Sequence, residues 1–80
     1  MARPLRHAKG DPDGALQDYG RAVEADPRYA RAYGGRGFVR LAKGDRAGAA
    51  QDFERMLELA PDDPMARQAR AELARLRGSR

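Results

Sequence analysis

Residues 10–27 read GDPDGALQDYGRAVEADP, and residues 44–61 read GDRAGAAQDFERMLELAP. The two stretches lie 34 residues apart, and nine of their 18 positions are identical: Gly, Asp, Gly, Ala, Gln, Asp, Arg, Glu and Pro. Tyr19 stands over Phe53 and Val23 over Leu57, so the large positions change residue while keeping their character. The same offset runs outward. RHAKG (Arg6–Gly10) lies over RLAKG (Arg40–Gly44), and Ala32, Arg36, Gly37 and Gly44 lie over Ala66, Arg70, Ala71 and Gly78. A fixed period of this length marks a stacked repeat architecture. On this reading the chain starts partway through one repeat, contains one complete repeat, and stops partway through a third.

Each repeat carries apolar residues at helical spacing. Ala15, Tyr19, Ala22 and Val23 follow i, i+4, i+7, i+8, as do Ala49, Phe53, Met56 and Leu57. Asp11 and Asp45 stand where an N-cap carboxylate accepts the free amides of a first turn. Pro12 falls at the first helical position, where its missing N–H costs nothing. Gly10 and Gly44 suit the left-handed residue that ends a preceding helix. Asp63 and Pro64 repeat the start signal ahead of an apolar face made by Met65, Ala66, Ala69, Leu73 and Leu76. The spacing predicts a short stub over 4–9 and helices over 12–25, 29–43, 47–59 and 64–77, with loops short enough to make neighbours antiparallel. The absence of Ile and Thr argues against a sheet, and the abundance of Ala, Leu, Arg and Glu suits helices. The expected organisation is a stub at 1–9, a repeat domain at 10–77 and a tail at 78–80.

Eighty residues allow one small domain with a modest core. There is no Cys, which removes disulfides and thiolate metal sites. Sixteen Lys and Arg against twelve Asp and Glu give a net charge of +4, which permits acidic or nucleic-acid partners but fits a mixed, solvated surface as well. No apolar run approaches the ~20 residues of a membrane span. The first ten residues carry cations without an apolar core, so a signal peptide is not expected and the cytoplasm is the expected location. Catalytic groups are scarce: one histidine, His7, and one serine, Ser79, both outside the repeat domain. They form no nucleophile–base pair that the pattern supports. Asp11 and Asp13 resemble the opening of a calcium loop, but the closing position holds Ala22 rather than Glu. Capping explains them better, and neither enzyme activity nor a metal or other cofactor is expected.

YGGRGF, residues 33–38, has three glycines within an apolar helical period. It lacks the preceding strand and glycine spacing of a phosphate loop, and it occurs once rather than as low-complexity sequence. It reads as helix. The period, the two helices per repeat, and the pattern of small and aromatic residues together resemble the tetratricopeptide repeat. In the complete repeat the resemblance rests on Tyr33, Gly37, Gly44, Asp45, Ala49, Phe53 and Pro61. In the first it rests on Gly10, Asp11, Ala15, Tyr19, Ala22 and Pro27. Arg36, Arg40, Met56 and Arg67 depart from the usual residues at their positions.

The resemblance implies an all-α fold of antiparallel helix hairpins stacked as a short right-handed solenoid, about two repeats plus a terminal helix. It also implies Gly37 at the close crossing of two helices, and an inner groove lined by first helices. Groove residues on that basis are Arg31, Gly34, Gly35, Phe38, Leu41 and Ala42, then Met65, Gln68, Ala69, Glu72 and Arg75. Gly34 and Gly35 read equally well as an approach for a ligand backbone or as tolerated weak spots of the helix, and Phe38 as an apolar anchor or as a contact with the neighbouring terminal helix. The family's carboxylate-clamping members use Lys and Asn in the groove, and this chain has no Asn. The function implied is a non-catalytic module that binds a peptide or partner protein segment. An alternative is a self-assembling scaffold, since short repeat arrays leave apolar faces uncovered. A third is nucleic-acid binding through Arg67, Arg70, Arg75, Arg77 and Arg80.

Overall fold

The computed structural model describes residues 11–78, and the stub at 4–9, His7, Ser79 and Arg80 lie outside them. Four helices follow in order: α1 (Pro12–Ala25), α2 (Ala30–Ala42), α3 (Arg46–Leu59) and α4 (Pro64–Gly78). α2 and α3 form the central antiparallel hairpin, α1 packs on α2, α4 packs on α3, and α4 also touches α2. This is the expected all-α repeat.

The ends of the helices follow from their caps. The Asp11 carboxylate accepts the Gly14 N–H at 2.9 Å, and Asp45 accepts the Gly48 N–H at the same distance. The Asp63 carboxylate accepts the Met65 N–H at 2.8 Å. Asp11 is thus spent as a cap, and Asp13 pairs with Lys43 across to α2. α2 stops in a Schellman turn: the Asp45 N–H donates to the Arg40 carbonyl at 2.8 Å and the Gly44 N–H to that of Leu41 at 3.0 Å. That turn needs a left-handed residue, and Gly44 sits at φ +90°. At its other end α2 begins at Ala30, one residue later than the spacing predicts, because Tyr29 precedes it without a side-chain cap.

The core gathers Ala49, Phe53, Met56, Ala69 and Leu73, with Ala32 and Ala66 also buried. Phe53 and Met56 are fully enclosed. At Gly37 a Cβ would come within 2.7 Å of the Phe53 ring, so α2 and α3 approach as closely as they do only because that side chain is missing. Phe38 meets Phe53 edge-on with ring centroids 4.8 Å apart. Tyr33 is half-buried; its hydroxyl donates to the Pro27 carbonyl at 3.1 Å, and Arg36 and Arg55 lie over its ring. In contrast, α1 holds no fully buried residue, and Leu16, Tyr19 and Val23 are only half-covered.

Arg36 and Arg40, two departures from the repeat pattern, share one explanation. Asp52 on α3 is 3% exposed. Arg36 grips it with two N–H donors, each at 3.0 Å, and Arg40 adds a third at 3.1 Å. A buried carboxylate requires this degree of pairing. The hydrogen bond to Asp52 also holds the Arg36 guanidinium more firmly protonated than usual.

Candidate partner-binding face

α2 and α4 are the first helices of successive repeats, and their contact makes one side of the molecule. Their N-terminal ends are tied by Arg31, whose Nε donates to Asp63 at 2.9 Å. That hydrogen bond, then the Met65 N–H, holds the Asp63 carboxyl below its ordinary range. Asp63 therefore serves both as the start of α4 and as the clasp that sets α4 beside α2.

The residues expected in a groove fall into two groups. The first is spent on packing. Gly34 is buried, and a Cβ there would meet the Met56 and Met65 sulfurs at 2.6 Å each. At Gly35 a Cβ would strike the Tyr19 ring at 2.4 Å. The space left by both missing side chains is thus filled from within the chain, by α3 and α4 at Gly34 and by α1 at Gly35. Phe38 lies against Phe53, and Met65 against the core cluster. Ala69 is fully buried. Arg31 is occupied by Asp63.

The second group lies at or near the surface, toward the C-terminal ends of α2 and α4. Leu41, Glu72 and Arg75 come together there with Arg46 and Leu76 around an open depression of about 290 Å³. Leu41 and Leu76 are half-buried and pack on the core edge, while Arg75 is exposed and reaches Glu72 at 3.4 Å. Ala42 and Gln68 are exposed, and neither lines this depression. Sequence reasoning placed Leu76 on the apolar face of α4 but not at a site, and it passed over Arg46, the first residue of α3. Arg46 reaches the depression because the Schellman turn at Gly44 folds the start of α3 back beside the end of α2, and Leu76 because α4 packs on the core edge there.

A second depression, of about 510 Å³, is lined by Pro61, Asp62, Asp63, Pro64, Arg67 and Arg70 at the turn into α4. Its charges are mixed. Of the arginines proposed for nucleic acid, Arg70 reaches the Pro61 carbonyl, Arg75 pairs with Glu72 and Arg77 with Glu54. Each therefore has an acceptor within the chain. Among the described residues no three His, Asp or Glu side chains converge as a metal site, and no helix is long and apolar enough to cross a membrane.

Stacked two-helix units repeating at 34 residues, with glycine at the hairpin crossing and an aromatic enclosed beneath it, define a helical repeat protein. The tetratricopeptide-repeat family matches residues 6–73, and the chain belongs to that family. Proteins of this family generally mediate protein–protein interaction. No curated protein matches the chain significantly.

Proposed function

We propose that the chain is a non-catalytic, cytoplasmic interaction module that takes a segment of a partner protein along the α2–α4 side. The observation that carries this reading is the depression formed by Leu41, Leu76, Glu72, Arg75 and Arg46. It offers two apolar walls with charged groups at the rim, the arrangement that seats one anchor side chain within a polar border. The segment it suits places an apolar side chain between Leu41 and Leu76 and an acidic or polar neighbour against Arg75. Phe38 and the two glycines support the face from behind and do not touch the partner.

The test is a titration of the isotopically labelled chain with peptides varied in apolar content and charge. Peptides with an apolar anchor beside an acidic residue are expected to shift the amide resonances of Leu41, Glu72, Arg75 and Leu76. Leu41→Glu and Leu76→Glu are each expected to weaken binding about tenfold or more, as loss of a central anchor does. Shifts confined to the outer face of α3, or no response to any peptide, would refute the reading.

A further inference from the structure

The offset that relates the two quoted stretches also relates the two ends of the described fold. One period separates α4 from α2, and one period separates α1 from α3. α2 and α3 pack together as a hairpin. α4 and α1 are the two halves of the same hairpin, and among the described residues they make no contact with each other. We propose that α4 of one copy receives α1 of a second copy in the α2–α3 geometry, so that the chain associates head to tail.

The central hairpin supplies a template for this contact, residue by residue. Arg70 takes the place of Arg36, and Asp18 takes the place of Asp52. Within the hairpin that pair is closed by two hydrogen bonds of 3.0 Å. Its counterparts are both exposed. Among the described residues Asp18 has only Arg21, one turn away at 3.5 Å, and Arg70 has the Pro61 carbonyl at 3.4 Å. The charges are thus complementary and in register.

Volumes match as well. In the hairpin, Gly34 makes room for Met56. At the junction Gln68 replaces the glycine and Ala22 replaces the methionine, so the larger residue changes sides and the space stays filled. Tyr19 takes the place of Phe53 and Ala71 that of Gly37, which adds a methyl group at the crossing and sets the two helices slightly further apart. The faces that meet are the half-covered Leu16, Tyr19, Ala22 and Val23 of α1, and the exposed Ala71 and Ala74 of α4.

Contacts of this type are heterologous and do not close on themselves, so association continues beyond a dimer. It is also weak, because one helix face buries less than a standard interface of about 1,600 Å². The experiment is sedimentation equilibrium of the full 80-residue chain from micromolar to millimolar concentration. The weight-average mass is expected to rise continuously past that of a dimer. Arg70→Glu and Asp18→Arg, both at exposed positions, are each expected to lower the association constant about tenfold by setting like charges opposite one another. Their circular dichroism melts should match the parent chain. An equimolar mixture of the two variants, or the double variant, should restore association, because each junction then pairs opposite charges. A mass fixed at the monomer, a mass that stops at the dimer, or single variants that associate like the parent would each overturn the proposal.

Discussion

Removing the partners of Asp52 should cost far more than removing Asp52 itself. Asp52 is 3% exposed and cannot turn to water, whereas the Arg36 and Arg40 side chains remain 19% and 30% exposed. Asp52→Ala deletes three charge-assisted hydrogen bonds but leaves two guanidinium groups that can swing outward. Its expected cost is about 1–3 kcal/mol. Arg36→Ala combined with Arg40→Ala strands a buried carboxylate, at about 3–5 kcal/mol. A chain of this length has a total stability of about 4–12 kcal/mol, so the double variant should be partly or wholly unfolded at room temperature. Adding Asp52→Leu to the double variant removes the stranded charge and should recover most of the loss. Urea denaturation followed by helical circular dichroism measures all three. The reasoning fails if the double arginine variant is no less stable than Asp52→Ala, or if the triple variant is no more stable than the double.

The glycines should separate by environment. Gly20→Ala, with nothing within 4 Å of the added carbon, should stabilise by about 0.5–1 kcal/mol through helix propensity, whereas Gly37→Ala should destabilise by about 1–3 kcal/mol by forcing the Phe53 ring away; thermal melts resolve the two signs. Gly44→Ala, at φ +90°, should cost about 1–2 kcal/mol with no change in the helical spectrum of the remaining fold. The Arg31–Asp63 clasp should be sensitive to acid. Its folded-state pKa lies below the ordinary 3.8, so its contribution is present above that value and is lost as pH falls through the lower folded value. The stability difference between the parent chain and Asp63→Asn should therefore shrink below about pH 4 in a pH series of melts.

Helix limits were legible to within one residue wherever a residue type has one dominant local role, although α3 opens at Arg46, one residue before the predicted start. Asp11, Asp45 and Asp63 accept first-turn amides as expected, and Gly44 adopts the positive φ that closes α2. Where no such residue exists, at Tyr29, the predicted start was one residue early. What resisted reading were facts that depend on two helices at once. Arg36 and Arg40 stand out from the repeat pattern one at a time, yet their common partner lies 16 and 12 residues further along and on another helix. Gly34 and Gly35 are adjacent in sequence and equally small, but one is filled by methionines from α3 and α4 and the other by a tyrosine from α1. A helix that touches three others has little free surface, so position within the repeat alone did not say which residues would face outward.

Asp18 and Asp52 make the same point in energetic terms. They occupy equivalent positions in the two repeats, within the identical pair Gln-Asp before an aromatic residue. Asp52 has a side chain 4% exposed and held by two arginines; that of Asp18 is 78% exposed and faces a single arginine on its own helix. The residue is the same and the backbone is the same; Asp52 has the first helix α2 across from it, and among the described residues Asp18 has no counterpart of that helix. In a fold where each unit contacts only its neighbours, stability resides in the interfaces. Asp18→Ala should accordingly change the stability of the isolated chain by no more than about 0.5 kcal/mol, against about 1–3 kcal/mol for Asp52→Ala. That gap should narrow at concentrations where copies associate, because a second α4 then supplies Asp18 with the arginine that Asp52 already has.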